Sequence, residues 1–536
     1  MVRIILTDRT FEYDVRSLTK AFFKDENIVV VDENYSEELK ENELNDRKLN
    51  NTKRHRKNNR QIEDDKVTYE FYVSVSDNNI ELRLESVEVD IDIHKSLIVD
   101  LREELDKEKD NEIVDSLEYK AKCKNILKKA IYKILSQALD IELPWGTLTG
   151  IRPSKIAMDR LCKGDNDDDI KSFMKNTYLA EDSKIELALE VAHREKEILE
   201  DIDYKNGYSL YIGIPFCPTR CSYCSFTSYP LDKYECMVEA YIEALIKEME
   251  YASTMVKNKV LTTVYIGGGT PTTLSPEQLD RIINKLKELW DFSTVREFTV
   301  EAGRPDSITR EKLQVLKEQG VTRISINPQT MKQETLDLIG RKHTVDSIVD
   351  AYNLAREVGH KNINMDLILG LPGETLDDVK YTLNRIKELD PDNLTVHTLA
   401  IKRAAYLNIY KDKYEELLPK HVTDMVDETL RYAKANGYIP YYMYRQKNMT
   451  DNLENIGYAK YGLEGIYNIL IMEERQSILA LGAGAVCKFV DYKDNRIERL
   501  DNVKSLKDYI ERIDDMIEKK KNFVSSKGAY FDGIFR

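Results

Sequence analysis

The sequence has no hydrophobic run that approaches the ~20 residues needed to span a bilayer. Its first residues, MVRIILTDRTFEYDV, contain no apolar signal-peptide core and no small-residue cleavage site. Both absences predict a cytoplasmic protein without a membrane span. Positive charge is in deficit, because 80 lysines and arginines face 95 aspartates and glutamates and the formal net charge is −15. A field of that sign repels polyanions, so we expect no nucleic-acid partner.

Cysteine is scarce, with seven residues in 536, and this excludes a secreted disulfide framework. Three of the seven nevertheless fall within eight positions, at Cys217, Cys221 and Cys224. In a reducing compartment such clustering indicates metal or redox chemistry. We expect the other four to be buried apolar residues, namely Cys123, Cys162, Cys236 and Cys487.

The N-terminal part of the chain predicts an α+β domain over residues 1–200. Residues 1–35 have the pattern strand, helix, strand, and residues 67–92 alternate apolar and polar side chains as a hairpin does. Between them, residues 36–66 are highly charged and almost free of apolar side chains, so we expect a disordered insert. The motif PWGTLTGIRPSK at 144–155 lacks the glycine spacing of a phosphate loop and predicts an ordered connector.

From Leu210 the pattern changes to short β-rich segments that alternate with helix-length segments. Six such repeats predict a parallel α/β sheet or barrel over residues 201–403. Glycines and polar residues gather where the predicted strands end, which is where parallel α/β folds place their chemistry. Residues 404–536 have a mixed, tyrosine-rich pattern with a closing helix near 503–521, and predict a separate C-terminal domain.

Three kinds of site could use cysteines at C-x3-C-x2-C spacing. A thioredoxin-like pair would use Cys221 and Cys224 but leave Cys217 without a role. A structural zinc site needs four ligands, and Cys236 is the nearest further candidate. A [4Fe–4S] cluster held by three thiolates keeps one iron open, as catalytic metal sites do. Because this spacing follows a first barrel strand, it predicts the radical S-adenosylmethionine (SAM) superfamily, in which SAM fills the open iron.

The ends of the later strands carry groups that SAM requires. Gly267–Gly269 in YIGGGTP allow the backbone to approach a ligand closely. Glu301, Gln329 and Asp366 stand near the ends of the third, fourth and fifth predicted strands, where they could hold ribose hydroxyls. Arg341 could form a charge-assisted pair with the SAM carboxylate.

The segments LYIGIPFCPTRCSYCSFTSYP, GGGTPT, GVTRISINPQT, INMDLILGLPGET and YRQKN resemble the oxygen-independent coproporphyrinogen III oxidase family, in particular its HemZ-type coproporphyrinogen dehydrogenases. The likeness covers roughly residues 140–500 and includes PWGTLTGIRPSK. It implies a partial (β/α)6 radical SAM barrel, flanked by an α+β N-terminal domain and a mixed C-terminal domain. It also implies an electron donor such as flavodoxin or ferredoxin.

The chemistry that the resemblance implies is haem biosynthesis without oxygen. The [4Fe–4S] cluster reduces SAM to methionine and a 5′-deoxyadenosyl radical, which takes a hydrogen from a propionate of coproporphyrinogen III. Carbon dioxide and one electron then leave and a vinyl group forms. Two propionates react in this way and give protoporphyrinogen IX.

The resemblance also implies, motif by motif, which residues bind SAM. They are Tyr211, Tyr223, Gly268, Gly269, Thr270, Glu301, Gln329, Arg341, Asp366, Ala400 and Val486. The sequence departs from the family pattern at Gly213, where members usually have histidine, and at Phe226, where active members often have a further cysteine. Phenylalanine at the second position is also found in the haem-carrier branch. Two alternatives therefore stay open, a haem-binding carrier and a radical SAM enzyme that acts on haem itself.

A substrate with four carboxylates requires local cations in a chain of net charge −15. Candidates for this role, which could equally be ordinary surface charge, are Lys402, Arg403, Arg445 and Lys447. His397 is a candidate for hydrogen bonding or proton transfer, with a packed structural histidine as the alternative. The aromatic stretch at 438–444 could form either a tetrapyrrole pocket or core. A radical must be shielded from water, so we expect residues 404–536 to cover the substrate. The sequence assigns no catalytic residue.

Overall fold

The computed structural model describes residues 1–24, 26–33, 67–87, 92–107, 116–150, 152–225, 228–256, 259–400, 414–419, 421–445, 453–492 and 496–527. Several predicted features lie outside these residues, namely the insert at 36–66, Phe226, Lys402, Arg403 and Lys447. The chain divides into two compact units, Met1–Ile151 with Arg160–Leu187, and Arg152–Asp159 with Ala188–Arg536. The predicted barrel and C-terminal regions fall in the same unit, and the division into three domains stays a prediction.

The first unit contains a five-stranded sheet. Its strands are β1 Val2–Leu6, β2 Ile28–Asp32, β3 Tyr69–Val75, β4 Asn79–Ser86 and β5 His94–Asp100, in the order β2-β1-β3-β4-β5. β1 pairs in parallel with β2 and β3, whereas β3, β4 and β5 are antiparallel neighbours. The predicted strand–helix–strand unit and the predicted hairpin are both confirmed.

Helices account for much of the N-terminal 200 residues. Their side chains Leu18, Leu127 and Ile131 are fully buried and belong to one apolar cluster with Phe71 and Leu82 of the sheet. The helices are Glu12–Phe22, Leu101–Lys107, Ser116–Leu139, Pro153–Lys163, Asp167–Tyr178 and Asp182–Glu200. Pro153 is the first residue of its helix. Proline fits this position because the first backbone N–H of a helix has no partner within the helix, and proline lacks that N–H.

The second unit contains an eleven-stranded sheet and a short two-stranded one. Its strands are β6 Gly207–Ile214, β7 Phe216–Cys217, β8 Tyr229–Pro230, β9 Val260–Gly268, β10 Glu297–Glu301, β11 Arg323–Ser325, β12 Ile363–Leu369, β13 Asn393–Thr398, β14 Ile439–Tyr444, β15 Asn455–Ala459, β16 Ser477–Leu481, β17 Val486–Asp491 and β18 Arg496–Asp501. The large sheet has the order β14-β15-β13-β12-β11-β10-β9-β6-β16-β17-β18, and β7 pairs with β8.

Six consecutive strands of the large sheet, β6 and β9 to β13, are parallel. Helices alternate with the later strands and follow them to the C terminus: Leu231–Tyr234, Val238–Ala252, Pro276–Leu289, Arg310–Glu318, Gln333–Leu338, Val345–Val358, Leu376–Leu389, Val422–Ala435, Ile466–Glu473, Leu506–Glu511 and Ile513–Lys527. The predicted six-fold α/β alternation is confirmed.

Local sequence explains where these helices begin. Ser275 and Gln278 form a capping box at the start of Pro276–Leu289, with proline at the first helical position. Leu279, Ile282, Ile283 and Leu286 then form its buried stripe. The helix therefore packs one apolar face and leaves its charged face to solvent.

Strands after residue 403 extend the sheet at both edges. On one side β15 pairs antiparallel with β13 and β14. On the other side β16 pairs in parallel with β6, and β17 and β18 follow as antiparallel strands. Most of the tyrosine-rich stretch at 438–444 becomes β14, Ile439–Tyr444, which is an edge strand of this sheet and not a separate layer.

Two expectations about cysteine burial are wrong. Cys123 and Cys487 are buried as expected, but Cys162 and Cys236 are exposed. Cys162 lies on a helix whose packed face is supplied by Ala157, Met158 and Leu161, and Cys236 lies on the short turn Glu235–Met237, which buries none of its residues. Among the described residues, no helix combines the length and apolar character needed to cross a bilayer.

Candidate active site

The three clustered cysteines line a cavity of about 440 Å³ at the C-terminal ends of the parallel strands. β6 ends at Ile214, and the chain turns through Pro215 into β7, where Cys217 lies. Cys221 and Cys224 follow in turns, and the N–H of Cys224 donates to the carbonyl of Cys221 over 3.2 Å. The volume lies within the usual range for small-molecule sites.

The glycines of YIGGGTP hold the cysteine loop through the backbone. The N–H of Gly269 donates to the carbonyl of Ile214 over 2.7 Å, and that of Thr270 donates to Phe216 over 2.7 Å. The Thr270 hydroxyl donates to the sulfur of Cys217 over 3.6 Å. A Cβ atom on Gly269 would lie 2.5 Å from the carbonyl oxygen of Phe216. Glycine at this position is therefore needed for the loop to approach β9.

Replacing Gly269 with alanine should displace the cysteine loop, because the new Cβ cannot fit against rigid backbone. We expect the free energy of unfolding to fall by at least ~2 kcal/mol, or the cysteines to lose their capacity to bind metal. The reason is that the added methyl group overpacks this position and strains the backbone around it. Iron content after anaerobic reconstitution and urea unfolding would measure both effects. Gly213→Ala is the matched control, since its Cβ would meet no atom closer than 3.4 Å. Equal behaviour of the two variants would contradict this account.

Glu301, at the end of β10, receives a hydrogen bond of 2.6 Å from the hydroxyl of Tyr265. Burial, together with the charge of Asp366, raises the pKa of Glu301 to about 7, although Tyr265 and the N–H of Gly268 act in the other direction. A Cβ on Gly267 would lie 2.9 Å from the carboxyl carbon of Glu301. The glycine thus makes room for this carboxylate.

Asp366, on β12, lies at the centre of a second polar group. Burial disfavours its ionised form, but the hydrogen bond and charge of His397 outweigh burial and lower the pKa of Asp366. His397 Nε2 lies 3.8 Å from Asp366 Oδ2, and His397 Nδ1 lies 3.2 Å from the hydroxyl of Tyr444. Asn364 donates to the other oxygen of Asp366 over 2.7 Å. The cavity therefore contains an array that runs from a carboxylate through an imidazole to a phenol.

Gln329 has a φ of 68°, which is uncommon for a residue with a side chain. Its N–H donates to the carbonyl of Asp366 over 2.9 Å, and its own carbonyl accepts from Ile368 over 2.9 Å. These bonds hold the residue in the left-handed region while its side chain lines the cavity. Such strain, kept by surrounding contacts, is typical of functional positions.

One wall of the cavity carries buried polar atoms that have no hydrogen-bond partner among the described residues. They are Arg323 Nε and Nη2, Ser325 Oγ, Asn327 Oδ1, Gln329 Oε1 and Arg341 Nε. Buried polar atoms are almost always hydrogen-bonded in native proteins. This wall therefore fits a ligand that carries several donors and acceptors.

Two buried arginines flank Cys221. Arg304 donates to the sulfur of Cys221 over 3.6 Å and to the hydroxyl of Thr219 over 2.9 Å. Arg341 donates to the carbonyl of Asn327, and its charge interacts with Cys221 and Tyr223. Both guanidinium groups line the cavity, although they are almost wholly withdrawn from solvent.

Comparison with known proteins agrees with this geometry. Residues 211–386 match the radical SAM superfamily. The chain is 41% identical over 416 residues to the oxygen-independent coproporphyrinogen-III oxidase-like protein HemZ of Bacillus subtilis (strain 168), covering 77% of this chain and 82% of that protein. The chain belongs to this radical SAM family.

Other members of the family differ in their described roles. The heme chaperone HemW of B. subtilis is 34% identical over 280 residues, which are 52% of this chain and 70% of HemW. The oxygen-independent coproporphyrinogen III oxidase of Escherichia coli (strain K12) is 31% identical over 231 residues, covering 43% of this chain and 50% of that enzyme. The solved structure of the E. coli oxidase HemN, titled as a radical SAM enzyme, aligns with a TM-score of 0.47 and 23% identity over 60% of this chain and 73% of HemN.

Radical SAM proteins use a [4Fe–4S] cluster and SAM, and both are cofactors of this family. The cysteines fit the cluster. Burial, with the charges of the other two cysteines, raises the pKa of the Cys217 thiol to about 12, so its thiolate requires a metal or cation. Within the described residues, no three His, Cys, Asp or Glu side chains converge as a single-ion site requires. Thiolates of a cubane bind separate irons, so a cluster fits this loop better than a zinc ion does.

Most residues expected to bind SAM line the cavity: Tyr211, Tyr223, Gly268, Gly269, Thr270, Glu301, Gln329, Arg341, Asp366 and Ala400. Val486 does not; it begins β17 and is partly exposed. Of the residues expected to bind substrate, His397 lines the cavity, whereas Arg445 is buried but is not part of its lining. Their roles stay predictions.

Sequence reasoning missed several residues that line the cavity, including Arg304, Arg323 and Asn327. Arg304 and Asn327 could have been found, because they follow the ends of β10 and β11 in the same way as the residues that were identified, whereas Arg323 begins β11. Tyr265 lines the cavity too, and its ring stacks on that of Tyr467 at 4.5 Å. Tyr467 comes from a distant helix, and no local pattern in the sequence predicts that contact.

Proposed function

We propose that the protein is an oxygen-independent coproporphyrinogen III dehydrogenase of cytoplasmic haem biosynthesis. Each of two propionates would lose one hydrogen atom, one electron and carbon dioxide, so that protoporphyrinogen IX forms. The observation that carries this proposal is that the three cysteines and the Asp366–His397–Tyr444 array line the same cavity. The likeness to HemZ over 77% of the chain supports it further.

The residues of the cavity divide into two groups. Cys217, Cys221 and Cys224 would ligate the cluster, and Arg341 would pair with the carboxylate of SAM. Glu301 and Asp366 would accept hydrogen bonds from the ribose, with Gln329 completing that wall. When bound and reduced, the cofactors supply a radical that abstracts hydrogen. The protein's part is to hold the reacting groups in line, since orientation alone can account for much of such a barrier.

The end of the cavity beyond Asp366 would hold the tetrapyrrole. Asp366 and Tyr444 face the two ring nitrogens of His397, which would therefore exchange one of these partners for a propionate or pyrrole group when the substrate binds. Tyr442 and Tyr444 stack at 6.3 Å and provide an aromatic wall there. Such a wall would exclude water from the radical step.

An anaerobic assay tests the proposal. The full chain, reconstituted with iron and sulfide, would receive dithionite, SAM and coproporphyrinogen III. We expect protoporphyrinogen IX and two 5′-deoxyadenosines for each tetrapyrrole converted. His397→Ala should lower the rate about 100-fold, as is typical for loss of a proton-transfer or positioning group. Deoxyadenosine without a vinyl product would contradict the substrate assignment.

A haem-binding carrier is the second candidate, because HemW is similar over 52% of the chain. This function would need the cavity for haem and would need no decarboxylation. Haem titration of the reconstituted protein, monitored by absorbance, distinguishes the two. Stoichiometric haem binding with no consumption of coproporphyrinogen would favour the carrier.

SAM affinity should depend on pH through Glu301, whose pKa is raised by burial to about 7. Below that pH the carboxyl is protonated and loses one acceptor for the ribose hydroxyls. The dissociation constant of SAM should therefore rise about tenfold between pH 8 and pH 6, and Glu301→Gln should remove this dependence. Isothermal titration calorimetry across this range would measure it.

Glu374→Gln provides a matched control for this pH effect. Burial also raises the pKa of Glu374 to about 7, but this carboxyl accepts from Thr330 and does not line the cavity. The control variant should keep the tenfold slope. Loss of the slope in both variants, or in neither, would contradict a role for Glu301 in binding SAM.

A further inference from the structure

Arg304 forms a fixed bridge between Asp306 and the cysteine loop. Its Nε and Nη2 donate to the two oxygens of Asp306 over 2.9 Å and 2.6 Å. The remaining nitrogen, Nη1, donates to the sulfur of Cys221 over 3.6 Å and to Thr219 over 2.9 Å. The side chain of Arg304 is 4% exposed. Because a two-point fork fixes the guanidinium plane, the direction in which Nη1 points is fixed as well.

The charges around Cys221 do not cancel. Arg304 is paired with Asp306, whereas Arg341 donates to the backbone carbonyl of Asn327 and its charge acts on Cys221 and Tyr223. Among the described residues, no carboxylate forms an ion pair with Arg341. His343, which lies 3.8 Å from Asp306, adds no charge at neutral pH, because burial and the two arginines lower its pKa to about 4. Within the part of the chain that the structure describes, the two arginines beside this sulfur therefore have one carboxylate partner between them, Asp306 on Arg304.

Withdrawing such cations from water is costly unless an anion meets them. A cluster ligated by three thiolates is that anion, and one-electron reduction makes it more negative still. Hydrogen bonds to cluster sulfurs and the net charge nearby are the main influences on the potential of such clusters. Cations next to a ligating sulfur stabilise the reduced form more than the oxidised form.

We propose that Arg304 is a positioning residue that holds the Cys221 thiolate and raises the reduction potential of the cluster that Cys221 ligates. This inference rests on the cofactor of the family and not on the identity of the tetrapyrrole. It gives EAGRP, the segment that follows β10, a role in making the cluster reducible by a cellular electron donor.

An EPR-monitored redox titration of the reconstituted full chain, without SAM or tetrapyrrole, tests the proposal. Arg304→Gln keeps a hydrogen-bond donor but removes the charge. The midpoint potential of the cluster in Arg304→Gln should be more negative than that of the wild type by at least about 59 mV. For a one-electron couple this corresponds to a tenfold shift in the reduction equilibrium. Arg304→Lys, which keeps the charge, should recover most of the shift.

Two further variants make the test specific. Arg310→Gln removes an exposed arginine that pairs with Glu357 and should leave the potential unchanged. Asp306→Asn removes the negative charge and should move the potential in the opposite direction, to a less negative value; it also serves if Arg304→Gln assembles no cluster. An unchanged potential in Arg304→Gln with full iron content, or a negative shift in Asp306→Asn, would overturn the proposal. Because no tetrapyrrole is present, failure of the proposed decarboxylation would not affect the outcome.

Discussion

Replacement of Cys221 by alanine should abolish assembly of the [4Fe–4S] cluster and, with it, cleavage of SAM. Cys221 is buried at the centre of the cysteine loop, between Arg304 and Arg341, so no neighbouring thiol can take its place. We expect formation of 5′-deoxyadenosine to fall by more than ~100-fold. This is a larger loss than that caused by removing a residue that only hydrogen-bonds a metal ligand, which is usually about 10- to 100-fold. Iron and acid-labile sulfide per chain, together with the absorbance of the cluster, would be measured after anaerobic reconstitution.

Cys236→Ala provides the matched control for this prediction. Cys236 is exposed and lies on the short turn Glu235–Met237, outside the lining of the cavity. Iron content and deoxyadenosine formation should match those of the wild type. An intact cluster in Cys221→Ala would refute the assignment of the ligands. Loss of the cluster in Cys236→Ala would show that a fourth cysteine participates.

Sequence patterns predicted the parallel sheet because its signals are local. Each buried strand is a short apolar run, and each helix has its own start signal, such as the capping box at Ser275. The cysteine spacing and the polar residues at strand ends are local in the same sense. Parallel strands bring their C-terminal ends to one edge, so Glu301, Gln329 and Asp366 come together once the strand order is known.

The remainder of the site depends on contacts that no local pattern encodes. β16 lies beside β6 although more than 260 residues separate them, and Gln476 reaches Ser209 over 2.9 Å. The stacking of Tyr467 on Tyr265 and the fork of Arg304 on Asp306 are further examples. Cys162 was predicted to be buried because free cysteines are usually buried, but it is exposed. The average preference of a residue type does not reveal the surroundings of one position.

A buried ion pair joins the C-terminal helix to the core of the second unit. Nζ of Lys520 lies 2.6 Å from Glu248 and donates to Asn502 over 2.7 Å. Glu248 also accepts from the N–H of Gly482 over 2.8 Å and from the hydroxyl of Tyr509 over 2.5 Å. Lys520 is 1% exposed and Glu248 is fully buried. Both carboxylate oxygens of Glu248 therefore accept hydrogen bonds. The negative charge of Glu248 is balanced by Lys520.

Lys520→Met should therefore destabilise the protein by about 3–5 kcal/mol, because it leaves the charge of Glu248 buried without a counter-ion. Methionine has nearly the same length, so the loss is one of charge rather than of volume. Chemical denaturation of the apoprotein, followed by circular dichroism, would measure the change. Lys519→Met is the control, since Lys519 lies on the same helix but pairs with Asp501 at the surface, and its loss should cost less than ~0.5 kcal/mol. Similar losses in the two variants would show that the buried pair does not anchor this helix.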